Sequence, residues 1–169
     1  MKLSRYFAWA LSLFFAILLL LPANALASSS SSLKSSSLLK AEDLNFAGQN
    51  LQTKEFVSEK FDGVDFQGAD LRGVVFNGTS LKGANLSGVD FTDGIAYSSS
   101  FRDANLSGAI FNSALLLQSY FTNVNVTDAD FTFAVVDRVQ LANLCANASG
   151  KNPVTGVDTR DSLGCSEMD

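Results

Sequence analysis

Every fifth residue from Phe46 to Leu141 is apolar: Phe46, Leu51, Phe56, Phe61, Phe66, Leu71, Phe76, Leu81, Leu86, Phe91, Ala96, Phe101, Leu106, Phe111, Leu116, Phe121, Val126, Phe131, Val136 and Leu141. Twenty positions pass in one phase, and only Ala96 is small. A period of five matches neither the 3.6 of an α-helix nor the 2 of a strand, so an ordinary globular packing of either element is excluded. Fixed self-similarity over such a length marks a repeat architecture, in which no unit buries a core alone.

Each unit carries more than its large apolar centre. Two residues before the centre stand Val64, Ala69, Val74, Thr79, Ala84, Val89, Gly94, Ser99, Ala104, Ala109, Ala114, Ser119, Val124, Ala129, Ala134 and Val139, all small or β-branched. Two residues after it run Gly63, Gly68, Gly73, Gly78, Gly83 and Gly88, with Gly48 and Gly108 beyond that series. Asp or Asn often precedes the centre, as in Asp70-Leu71, Asn85-Leu86 and Asn105-Leu106. Gly, Asn and Asp tolerate sharp turns, so each unit reads as a corner pointing one large and one small side chain inward. Widening the small position would overpack the interior, at about 1–3 kcal/mol.

What flanks the repeat sets the compartment. Lys2 and Arg5 precede an apolar run from Phe7 to Leu21, and Ala25-Leu26-Ala27 follows. This is the layout of a signal peptide over residues 1–27, with cleavage expected after Ala27 and Ala25 as the neighbouring alternative. The rival reading is an uncleaved anchor, for which the run is short against the roughly 20 apolar residues of a span. No Cys follows the run and no adjacent arginines precede it, so neither a lipoprotein anchor nor twin-arginine export is indicated. Residues 28–43 begin as a serine-rich tether, in which Leu38-Leu39-Lys40-Ala41-Glu42 is read as a turn of helix over the first repeats. The repeat is assigned to 44–143 and a C-terminal cap to 144–169.

Loss of Lys2 and Arg5 takes the net charge from −5 to −7, a surface that repels phosphate backbones, so no nucleic acid partner is expected. The chain contains no His, which removes the commonest general base and metal ligand. No nucleophile–base pair or metal cluster is visible, so the expectation is no enzyme, no catalytic residues, no metal and no cofactor. Asp128 and Asp130 read as solvated rungs, and the four Asn-x-Ser/Thr matches as by-products of the repeat. Cys145 and Cys165, an even pair in an exported chain, read as a disulfide worth roughly 3 kcal/mol for a loop of this length. The rival is a reactive thiol pair. Thr159 is placed to cap a short helix that Gly164 ends, covering the last repeats and blocking end-to-end stacking.

With these residues in view, the chain resembles the pentapeptide repeat family, whose unit is written A(D/N)LXX; the likeness covers about 100 of the 169 residues. It implies an all-β fold, a right-handed quadrilateral β-helix with four repeats per coil and about five coils, about 24 Å tall at the usual strand spacing. Gln49, Lys54 and Glu59 break the small-residue rule in the first coil, and are expected either to point outward or to lie under the N-terminal extension. With its leader and cysteine tail, the chain is similar to the thylakoid-lumen pentapeptide repeat proteins of cyanobacteria and chloroplasts. The implied address is the thylakoid lumen, with the periplasm as alternative.

Four repeats per coil stack residues twenty apart. One column is Asn45, Asp65, Asn85, Asn105, Asn125; the next is Asn50, Asp70, Asp90, Ile110, Asp130; a further one is Lys60, Ser80, Ser100, Tyr120, Gln140. The third differs: Glu55, Val75, Ile95, Leu115, Val135, with Val57, Tyr97 and Leu117 beside it. Such a contiguous apolar strip reads as a docking face for a protein partner or a second copy, with Val75, Ile95, Tyr97, Leu115, Leu117 and Val135 as the contact residues. The opposing readings are a strip covered by the termini, or one without consequence. Ala96, with Gly94 beside it, lies within this face and implies either a dent or an inward turn of Tyr97 or Ile95. The function expected is a non-enzymatic interaction scaffold or assembly and regulatory factor, placed peripherally near a membrane, its partner and oligomeric state open with a monomer preferred. The alternatives are a DNA-mimicking gyrase protector and an envelope glycan binder using Asn or Ser/Thr ladders such as Thr79, Ser99 and Ser119.

Overall fold

A computed structural model describes residues 44–167 of the chain. The expected signal peptide and tether lie outside the described residues. From Asn45 onward the backbone climbs in four-sided right-handed coils, in which residues twenty apart pair in parallel. The ladder bonds follow one rule. The centre residue donates upward, as Phe66 N to Asn85 O (2.8 Å), and the residue before a centre donates downward, as Asn85 N to Val64 O (3.0 Å).

The corners explain the pentapeptide. The residue two after each centre, from Gly48 to Phe133, has positive φ throughout, between 50° and 72°. Ten of these residues are not glycine, and they include Thr53, Asp93 and Gln118. Six of the ten, from Thr53 to Ser113, donate a ladder bond that offsets the steric cost of the left-handed region, as Thr53 N to Arg72 O (3.0 Å). At most corners the N–H three residues after the centre closes back on the centre's carbonyl, as Ala69 N to Phe66 O (2.9 Å).

Centres and small positions fill the interior as expected. Every centre from Leu51 to Phe131 is buried, and so are the small positions from Val64 to Ala129. Aromatic centres twenty apart stack: Phe56 on Phe76 (5.5 Å between centroids), Phe101 on Phe121 (5.0 Å) and Phe111 on Phe131 (5.0 Å). Gln49, Lys54 and Glu59 are exposed, which settles the first-coil departure in favour of outward side chains, and Gln49 Nε2 donates to Asn45 O (2.9 Å).

Ala96 makes neither a dent nor an inward turn of its neighbours; Ile95 and Tyr97 stay exposed. Phe91, from the preceding corner of the same coil, stacks on Phe76 instead, 5.7 Å between centroids and 6° between planes. Its ring also fills the space of a side chain at Gly94, where an added Cβ would overlap it. Ala96, Gly94 and Phe91 are thus one packing unit.

The repeat register does not run to Leu141. Five short strands, β1 (Glu55–Val57), β2 (Val75–Asn77), β3 (Ile95–Tyr97), β4 (Leu115–Leu116) and β5 (Val135–Val136), are followed by helix α1 (Arg138–Asn147). Val139, Gln140 and Leu141 therefore lie in a helix, not in a twentieth corner. The helix supplies the missing acceptors with side chains. Gln140 Oε1 takes the N–H of Phe121 (2.9 Å), and the Asp137 carboxylate takes that of Gln118 (2.6 Å).

Helix α2 (Thr159–Leu163) continues this closure, with Ser162 Oγ accepting from Phe131 N (3.0 Å). Its cap is Asp158, not Thr159: the Asp158 side chain accepts the N–H groups of Arg160 and Asp161, while Thr159 turns inward and is buried. Gly164 ends the helix in the left-handed region (φ 66°), as the sequence implied. Cys145 of α1 is bonded to Cys165, at the start of the 3-10 turn Cys165–Glu167. Asn152, itself buried, pins the intervening loop, donating to Gly108 O (3.1 Å) and Asp128 O (2.9 Å) while accepting from Val154 and Thr155 N–H.

Gly94→Ala is expected to lose about 1–3 kcal/mol in denaturant unfolding by overpacking against Phe91. The same change in a Phe91→Leu background is expected to cost clearly less, the coupling that a double-mutant cycle detects between packed neighbours.

Candidate protein-interaction face

The third face is the only one of the four sides that carries strands. Order β1-β2-β3-β4-β5 makes a five-stranded parallel sheet, in register Glu55↔Val75↔Ile95↔Leu115↔Val135. The corner that follows it accounts for the difference. Here the usual closing bond is absent at Thr79, Ser99 and Ser119, and hydroxyls replace it. Thr79 Oγ1 donates to Phe56 O (2.9 Å), Ser99 Oγ to Phe76 O (3.2 Å) and Ser119 Oγ to Ala96 O (2.9 Å). In turn Ser99 Oγ accepts from Thr79 N, and Ser119 Oγ from Ser99 N (3.1 Å each). The three hydroxyls run through the wall as a buried ladder, freeing the preceding residues to extend.

Extension lengthens the outward row to two residues in each of β1, β2 and β3. Ile95 (37% exposed), Leu115 (41%) and Val135 (46%) form one column, and Val57 (53%), Tyr97 (42%) and Leu117 (36%) another, interrupted by Asn77. Val75 is half-buried at the second rung. The six expected contact residues therefore lie on one side, five of them in strands and Leu117 just beyond β4, and all but Val75 are exposed.

Phe133 was not foreseen. It is 81% exposed, stands at the corner leading into β5, and holds φ 58°. An aromatic residue in that conformation contributes nothing to the core. Its signal in the sequence was a large residue at a position otherwise occupied by Gly, Ser, Thr, Asp, Asn or Gln. Tyr120 (47% exposed) stands on the fourth side beneath the guanidinium of Arg102, 4.9 Å from its ring centre.

The other sides are polar and internally paired. Asn85 donates to Asp65 Oδ1 (3.0 Å), Asn105 to Asn85 (3.3 Å) and Asn125 to Asn105 (3.1 Å), while their Oδ1 atoms accept backbone N–H groups two residues on. On the second side Asp70 and Asp90 stack directly, and Arg72 stands between them, 2.6 Å from Asp70 and 3.8 Å from Asp90. The Arg72 hydrogen bond, helped by one from Gln52 and opposed by desolvation, holds the Asp70 carboxyl far below the usual carboxylate range; the same pairing raises Arg72. Among the described residues no group of three or more His, Cys, Asp or Glu is placed to hold a metal ion.

A four-sided coil of five-residue corners with one flat apolar side defines a solenoid repeat protein. The chain belongs to the pentapeptide repeat family. Pentapeptide repeats match in eight copies over residues 60–94 and 99–134. The crystal structure of a pentapeptide repeat protein from the Arabidopsis thaliana thylakoid lumen is 33% identical, with a TM-score of 0.70, over 72% of this chain and 85% of that one. Arabidopsis thaliana thylakoid lumenal protein TL20.3 is 62% identical over 32 residues, a match spanning 19% of this chain and only 11% of that relative. HetL of the cyanobacterium Nostoc sp. strain PCC 7120, a pentapeptide repeat protein involved in heterocyst differentiation regulation, shares the fold at 21% identity and TM-score 0.51, over 52% of this chain and 40% of its own. This is a non-enzymatic pentapeptide repeat protein, and the compartment its plant relatives support is the thylakoid lumen.

Two substitutions test this wall. Ser99→Ala leaves the Thr79 N–H and the Phe76 carbonyl without their buried partner, and is expected to cost about 1–3 kcal/mol in denaturant unfolding. Arg72→Met addresses acid stability. A carboxyl depressed in the folded state stabilises above its unfolded pKa, near 3.8, and that contribution is lost as pH falls through the folded value. The variant is therefore expected to begin acid unfolding at a slightly higher pH, followed by circular dichroism. The shift is small because the side chains of Arg72 and Asp70 are 52% and 28% exposed.

Proposed function

We propose that this protein is an exported interaction module of the thylakoid lumen, a scaffold or assembly factor that docks a protein through the sheet β1–β5. The observation that carries this reading is the apolar strip itself. Five large apolar residues of the sheet and Leu117 just beyond β4, each more than a third exposed, share one side of a solenoid whose other columns are mainly polar and charged. Aliphatic residues beside an aromatic, desolvated together and rimmed by Ser98, Gln118 and Asn77, are the composition of an interface centre. A rigid ladder also presents them pre-organised, which lowers the ordering cost of binding.

The alternatives find less support. The hydroxyls of Thr79, Ser99 and Ser119 are buried and committed to backbone partners, so they are not free to meet a glycan. A lumenal address separates the chain from a cytoplasmic gyrase, and the acidic second side is interrupted by Ile110 and partly neutralised by Arg72.

The test is a double substitution, Ile95→Asp with Leu115→Asp. Both side chains point outward, so thermal unfolding is expected to move little, while capture of a lumenal partner by immobilised protein falls by at least about ten-fold. Undiminished capture with intact folding would remove the face from the function.

A further inference from the structure

We propose that the occupant of this face is a second copy of the chain, packed sheet to sheet with the two solenoids antiparallel. The inference rests on the docking reading above and names its partner. Its first support is periodicity. Outward residues recur at every rung of the ladder, so another copy offers the same spacing along the whole strip. An α-helix, with a pitch of 5.4 Å against rungs about 4.8 Å apart, drifts out of register. Its second support is where the charges lie. From Val75 to Val135 the strand residues of this face are uncharged, and the carboxylate that ends the second column, Asp137, is engaged by the N–H of Gln118, so two copies of an acidic chain can meet along the middle of the strip without opposing like charges.

Charge also selects the direction. Glu55 opens the strip at the first rung, and Arg138 follows the last rung where the chain turns into α1. Both are exposed, and neither enters an ion pair among the described residues. A two-fold axis along the strand direction at the third rung lays Ile95 and Tyr97 against their own copies. It brings the first rung of one protomer over the fifth of its partner, so Glu55 lies over the partner's Val135, with the long side chain of the partner's Arg138 three residues further on able to reach it, and the pair forms twice. A parallel arrangement would set Glu55 near the partner's Glu55 and Arg138 near the partner's Arg138.

Shape agrees with charge. Phe133 stands exposed at the fifth rung, and the first-rung residue in its column is Thr53. The antiparallel arrangement places the ring over this smaller residue. The six exposed strip residues and Phe133 offer roughly 600 Å² of apolar surface, which with its polar rim approaches the about 800 Å² per partner of a standard interface.

The experiment is sedimentation velocity over a concentration series, on the chain expressed with its own leader and purified after export, alongside thermal unfolding of every variant. The wild type is expected to shift from monomer to dimer with concentration. Leu115→Asp is expected to be folded and monomeric. Glu55→Arg and Arg138→Glu are each expected to raise the dimer dissociation constant by about ten-fold, and the two together to restore it. A wild type that stays monomeric throughout, or a dimer indifferent to both charge reversals, overturns the proposal. If the monomer still captures a lumenal partner through Ile95 and Leu115, only the second-copy inference fails; if that capture is also absent, the docking reading fails with it.

Discussion

The ladder of backbone hydrogen bonds between residues twenty apart is the constraint on which this protein depends. Because each rung repeats the one below, anything a corner carries is multiplied into a column: phenylalanine rings stack, asparagine amides chain together, hydroxyls relay through the wall, and aliphatic side chains line up outside it. The price is a left-handed residue at every corner, even at Phe133. Interior composition follows from the same rule. A square coil has room for one large and one small side chain per corner, so a lapse at Ala96 is made good by the nearest large group, Phe91, rather than by a shift of the wall.

A solenoid must also stop. The C-terminal end does so by imitation. Gln140, Asp137 and Ser162 place side-chain oxygens where the next coil's carbonyls would stand, and Asn152 donates to carbonyls of the last two coils. The disulfide between Cys145 and Cys165 ties together the helical pieces that carry these groups. The first coil meets its own end more simply, with polar side chains at positions that are small elsewhere. Stability and the prevention of further stacking are thereby two results of one arrangement.

Function follows from the inequality of the four sides. Three use corner chemistry that satisfies polar groups within the wall, and they present paired or solvated residues. The third side, released from the usual turn bond by the hydroxyls of Thr79, Ser99 and Ser119, extends into a true sheet and presents aliphatic residues in two columns. On the proposed reading, this sheet is the surface that recognises a partner.

Much of this was legible in the sequence. The five-residue period determined the coil, the buried centres and the stacking of Val75, Ile95, Leu115 and Val135, because side chains in a ladder inherit their direction from their number. Export and an even cysteine count indicated the disulfide. What only the tertiary structure decided were matters of competition for one space or one hydrogen-bonding group. The Phe91 ring, rather than Ile95 or Tyr97, filled the room above Phe76, since it could rotate there without leaving the interior. Val139, Gln140 and Leu141 keep the period yet form a helix, from which the Gln140 side chain caps the N–H of Phe121 in the coil below. Asp158 took the cap from Thr159, which turned into the core. Residue order determines which side chains share a column; which of them occupies a contested position depends on volumes and donors brought together from different coils, and these meet only once the chain is wound.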